Sequence, residues 1–72
     1  MPSPVRFAIV RRMLEEAGWS LARIAGSHHV FTKPGRRSYP LPVHRGKVNP
    51  EYVRAVEKLI ENDAADEHSG GA

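Results

Sequence analysis

The feature that most constrains this chain is that its hydrophobic period changes twice. Residues 4 to 17 place Val5, Ile9, Val10, Met13, Leu14 and Ala17 three to five positions apart on one helical face. Ser3 is placed to cap such a helix, Pro4 suits its first turn and Gly18 its left-handed stop. A second helix is signalled at Asn49-Pro50-Glu51 and extends to about Asn62, with Val53, Val56, Leu59 and Ile60 as its stripe. Between the two the pattern is that of short strands: residues 19 to 24, 28 to 33 and 38 to 43, separated by Ala25-Gly26-Ser27 and by Pro34-Gly35-Arg36-Arg37. Pro40 and Pro42 stand two apart, so their missing donors point the same way, which an edge strand tolerates. The order helix, three-stranded meander, helix predicts an α+β fold, α-β-β-β-α. Its two helices bury their stripes on one face of an antiparallel sheet and leave the other face to solvent.

At 72 residues the chain is one domain with a thin core, and it has no cysteine. Thiol catalysis, Cys-ligated zinc and a disulfide scaffold are thereby excluded, and a cytoplasmic protein is the expectation. No apolar run approaches the roughly 18 residues of a membrane span. Residues 63 to 72, rich in Gly, Ser, Ala and acid, read as a disordered acidic tail, leaving residues 1–62 as the domain. The formal charge of +3 hides a segregation. From Arg23 to Lys47 there are six bases (Arg23, Lys33, Arg36, Arg37, Arg45, Lys47), three of the four histidines and no acid. A one-signed stretch of this kind predicts a polyanionic partner, nucleic acid first and an acidic protein surface second.

With Phe31 facing the helices, strand alternation turns His29 and Lys33 the same way and points His28, Val30 and Thr32 to the open face. A bulge at Gly26 would exchange His28 with His29. A metal site is a poor fit, because His28 and His29 point to opposite faces and no acid between Arg23 and Lys47 joins His44; neither metal nor cofactor is expected. Imidazole, with an unperturbed pKa of about 6.5, can take and give a proton near neutrality. Metal-free RNA cleavage needs this: the 2′-hydroxyl loses its proton and attacks phosphorus while Arg or Lys neutralises the developing charge.

The run Gly26-Ser27-His28-His29-Val30-Phe31, preceded by Ala17-Gly18-Trp19 and followed by Lys33-Pro34-Gly35 and Pro42-Val43-His44, resembles the HicA toxins of type II toxin–antitoxin systems over residues 9 to 60. The resemblance implies a fold like the double-stranded RNA-binding domain, an mRNA interferase activity and a HicB-type antitoxin as partner. It places the catalytic histidine on His28, presented by Gly26 and Ser27, and gives His29 and Phe31 packing roles. The RNA-binding set expected is Gly26, Ser27, Arg23, Lys33, Arg36, Arg37, His44, Arg45 and Lys47. Where HicA sequences carry a Gly-Thr-Leu type start to the second helix, this chain has Val48-Asn49-Pro50-Glu51. The alternatives are an RNA-binding module of the same fold that does not cut, and a pure interaction protein whose basic face meets an acidic partner.

Overall fold

The computed structural model describes residues 3–70, and their side chains as far as Asp63. In chain order the elements are β1 (Val5–Arg6), α1 (Phe7–Glu16), β2 (Ser20–Ala25), β3 (His28–Thr32), β4 (Tyr39–Pro42), β5 (Lys47–Val48) and α2 (Pro50–Gly70). The strands β2-β3-β4 form the antiparallel meander with β4 at its edge, and β1 pairs with β5 in a separate two-stranded ribbon. The expected α+β architecture is therefore present, with one addition.

That addition corrects the start of the first helix. Val5 and Arg6 are extended and pair with Val48 and Lys47, so the helix begins at Phe7 and not at Pro4. The Phe7 N–H donates to the Gly46 carbonyl (2.8 Å), and Arg6 stands at the N-cap without a side-chain cap bond. Ser3 thus does not cap α1. The helix turns Phe7, Val10, Leu14 and Ala17 inward, while Ile9, placed in the stripe by spacing, is 53% exposed. Its end is as the glycine signalled: Gly18 takes φ +96°, its N–H bonds to the Glu15 carbonyl, and the Trp19 N–H reaches back to Leu14 (2.9 Å). This double closure is the Schellman stop, and it brings Trp19 onto Leu14 within the core.

The core joins Val10 and Leu14 of α1, Trp19, Phe31 of β3, Leu41 of β4, Val43, Val48 of β5 and Val56 of α2. Phe31, Leu41, Val10, Leu14 and Val56 have no accessible surface. Burial of such side chains stabilises by about 1.5–3 kcal/mol each. The register of β2 on β3 shifts between Leu21 and Arg23. The irregularity thus lies in the first strand and not at Gly26, and Ala25 remains directly opposite His28. In β4 the partners of His28 and Val30 are Pro42 and Pro40, and both prolines lie in the edge strand, as their spacing anticipates.

The second helix starts at Pro50, where the Asn49 carbonyl accepts from the Tyr52 and Val53 N–H groups (3.0 and 3.1 Å), but it runs on past Asn62. Asp63, grouped with the tail by composition, is 5% exposed and accepts from Lys33 Nζ and Arg36 Nε. Residues 71 and 72 of the expected tail lie outside the described residues. The Lys33 stem crosses Gly18, where a β-carbon would come within 3.2 Å of Lys33 Cε. One carboxylate thus ties the end of β3 and the β3–β4 turn to α2.

The hydrogen bonds from Lys33 and then Arg36 hold the Asp63 carboxyl below its ordinary range, outweighing the opposing effect of burial. A depressed pKa in the folded state contributes stability above the unfolded value of about 3.9 and loses it as pH falls through the folded value. Asp63→Asn is expected to lower the urea midpoint at pH 7. Below about pH 4 the gap between the variant and the wild type should close; a gap independent of pH would show that the carboxylate's charge is not what holds the turn.

Candidate catalytic and nucleic-acid-binding site

His28 owes its position to a two-residue hairpin. Ala25 pairs with His28, leaving Gly26 and Ser27 as the loop, and only Gly26 has positive φ (+61°), the pattern of a type II′ turn with glycine first. A β-carbon on Gly26 would meet nothing within 4 Å, so the space over the turn is open. His28 is the first residue of β3 and is exposed. His29 faces the helices instead, its ring centroid 4.5 Å from that of Phe7, with Nδ1 buried and without a hydrogen-bond partner among the described residues. The two adjacent histidines are thus divided between surface and interior as the alternation predicts.

The chain after β4 forms a second tight turn beside the first. Val43 donates its N–H to the Ser27 carbonyl (2.7 Å), and His44 and Lys47 exchange both backbone hydrogen bonds (2.9 Å each). The loop residues Arg45 and Gly46 both have positive φ, +53° and +74°, the type I′ geometry. Glycine adopts it freely; arginine in the left-handed region costs about 1–2 kcal/mol. The turn is anchored by the Phe7 N–H on the Gly46 carbonyl and by β1 pairing with β5. That pairing sets Arg6 opposite Lys47, two exposed cations across one rung. Like charges so placed repel one another, and an anion between them would relieve it. The reading of the sequence missed Arg6 by placing it in the helix; the signal was the spacing of Phe7, Val10, Leu14 and Ala17, which leaves Val5 and Arg6 outside.

The predicted RNA-binding set divides. Gly26, Ser27, His44, Arg45 and Lys47 come together around His28, and Arg23 is exposed opposite Val30 on the same face of the sheet, although Val30 itself, expected to be open, is buried there. Arg37 is exposed in the β3–β4 loop. Among the described residues Arg6, Arg23, Arg37, Arg45 and Lys47 are in no ion pair. Lys33 and Arg36 differ: at the other end of β3, on the helix side, both engage Asp63, and their side chains are only 14% and 32% exposed. The acid missing from residues 23 to 47 reaches them from α2 in space. The cations of α1 are also matched, Arg11 with Glu15 (3.0 Å) and Arg12 with Glu16 (3.4 Å). Arg54 and Lys58 of α2 are also in no ion pair among the described residues, but they lie on a face shared with Glu51, Glu57 and Glu61, whereas Arg6, Arg45 and Lys47 near His28 have no such acids beside them.

That site is an open surface. A concavity of about 470 Å³ runs along the wet side of α2, lined by Glu51, Arg54, Glu57, Lys58 and Glu61, and its mixed charge distinguishes it from the basic face. Among the described residues no three His, Cys, Asp or Glu side chains converge as a metal site, and no helix is long and apolar enough to cross a membrane.

Fold and surface together define a small α+β domain whose open sheet face presents a histidine from a Gly-Ser turn among unmatched cations. The family model described as the HicA toxin of bacterial toxin–antitoxin systems matches residues 8–63, and the chain belongs to that family. A search of curated proteins returns no match.

The strain at Arg45 is testable apart from function. Arg45→Asn places the Asn-Gly pair favoured by this turn at its tip and should raise stability by about 1 kcal/mol, read as a higher urea midpoint. An unchanged or lower midpoint would mean that the arginine side chain repays its backbone cost within the protein.

Proposed function

We propose that this HicA-family toxin is a metal-independent endoribonuclease, an mRNA interferase, in which His28 moves a proton during attack of a 2′-hydroxyl on the adjacent phosphorus. The observation that carries this reading is the exposure of His28 at the head of β3, beside two turns that bring Arg45, Lys47 and Arg6 together without a carboxylate partner. Imidazole supplies acid–base chemistry near neutral pH. The surrounding cations supply the field that holds a phosphate chain and offsets the charge gained at phosphorus. Gly26 and Ser27 leave room for the backbone to approach, and Arg23 and Arg37 extend the track along the sheet. Lys33 and Arg36 have their charge set against Asp63, and their part is to hold the β3–β4 turn in place.

The open site fits a polymer lying across the surface better than a small molecule enclosed in a pocket. Among the described residues His28 is exposed, which leaves it accessible to a partner that restrains it. We assign that role to a HicB-type antitoxin covering His28 and neutralising part of the basic face, with both proteins in the cytoplasm, where mRNA is available.

Cleavage of labelled RNA in the presence of a chelator is expected from the wild type and reduced by about 10²- to 10⁴-fold in His28→Ala. Placing a 2′-deoxy sugar at the cut position should stop the reaction. Cleavage by His28→Ala at the wild-type rate would remove His28 from the mechanism, and binding without turnover by the wild type would favour the non-cutting RNA-binding module. Arg45→Asn should also lower the steepness with which RNA affinity falls with salt by about 0.7 in the log–log slope, the share of one phosphate contact on a single strand; an unaltered slope would place Arg45 off the RNA.

A further inference from the structure

We propose that His44 is the second proton-transfer group of the same reaction, working with His28 beside the Gly26-Ser27 turn. This rests on the ribonuclease reading above. The β3–β4 pairing ends formally at His28 opposite Pro42, but the bond from the Val43 N–H to the Ser27 carbonyl (2.7 Å) carries it one rung further. Two residues beyond Pro42, His44 is therefore the diagonal neighbour of His28, beside the Gly26-Ser27 turn. The burial pattern gives its direction: Leu41 and Val43 are 0% and 7% exposed, Pro42 is intermediate and His44 is exposed. His44 thus shares the outward face of Pro42, which is also the face of His28. Diagonal neighbours of an antiparallel pair stand about 7–8 Å apart, so two imidazoles stand beside a turn where a β-carbon on Gly26 would touch nothing within 4 Å.

Two groups are what the chemistry asks for. The O2′–P bond forms and the P–O5′ bond breaks; one imidazole takes the proton leaving O2′, and the other, as imidazolium, gives a proton to the departing O5′. The products are a 2′,3′-cyclic phosphate and a 5′-hydroxyl, with no net change in protons and no co-reactant. A lone His28 would leave one of these transfers to water. Three carboxylates are held by cations away from this face, Asp63 by Lys33 and Arg36, Glu15 by Arg11 and Glu16 by Arg12, and Glu57 and Glu61 lie along the wet side of α2. The charged and titratable groups on the elements adjoining His44 are Arg45 and Lys47 of its own hairpin, Arg6 of β1, His28 of β3 and Glu51 in the first turn of α2. The cations among them can hold the phosphate between the two rings.

The test compares wild type, His28→Ala, His44→Ala and His44→Gln on one RNA oligonucleotide across pH. A second substrate carries a 5′-bridging sulfur at the cut position, whose thiolate leaves without a proton. Affinity is measured on the 2′-deoxy analogue, and circular dichroism checks the fold, which an exposed side chain at residue 44 should not disturb. Both His44 variants are expected to cut about 10²- to 10⁴-fold more slowly with near wild-type affinity. Each alanine variant should lose a different limb of the bell-shaped pH profile, and the sulfur substrate should restore cleavage to one of the two, whichever lacks the leaving-group acid. Cleavage by His44→Ala near the wild-type rate, or a loss matched by affinity with both limbs retained, overturns this assignment and leaves that of His28 standing. A wild type that cuts no RNA overturns both readings together.

Discussion

Phe31 has no accessible surface, and in a pleated strand that single burial determines the direction of every neighbour. It sends His29 inward to Phe7 and His28 outward, three positions away. A slip of one residue would bury the candidate catalytic group and expose its neighbour. The II′ turn at Gly26-Ser27 and the pairing of Ala25 with His28 hold that register at the strand's first residue. The irregularity in the sheet lies between Leu21 and Arg23, beyond the second rung from His28, where it leaves the histidine end undisturbed.

The same strand separates two electrostatic environments. Beyond its C-terminal end Lys33 and, past the turn, Arg36 meet Asp63 from α2, and the cluster is largely covered. At its N-terminal end His28 stands beside Arg45, Lys47 and Arg6, which have no carboxylate among the described residues. Charge at the first end holds two layers together; charge at the second remains for an external anion. Apart from Arg6, both kinds of cation come from one run of sequence that looks uniform, which is why a net figure for that run says little about where a ligand binds.

How much of this could be read beforehand follows from the length over which each signal accumulates. The meander and both helices span enough residues to display a period, and the outward direction of His28 follows from parity once Phe31 is placed inside. β1 and β5 have two residues each, too few to alternate, so the ribbon and with it Arg6 were hidden behind a helix signal that continued through them. Asp63 was hidden differently. Its partners lie 30 and 27 residues away, and local composition, Asp-Ala-Ala-Asp-Glu, describes a solvated tail whatever the fold does with its first member. The strain at Arg45 is invisible to propensity altogether, since Arg-Gly at that turn is an unfavoured choice that only the backbone angles reveal.

The β1–β5 ribbon has a consequence for how the protein comes into being. Lys47 is made 41 residues after its partner Arg6, and the rung that joins them needs both. Val56 of α2 follows later still, and without it the core under the sheet is open. A nascent chain that already carries His28 therefore lacks the surface that would hold RNA against it. The proposed nuclease would gain the surface that holds RNA only once β5 and α2 have been made and packed.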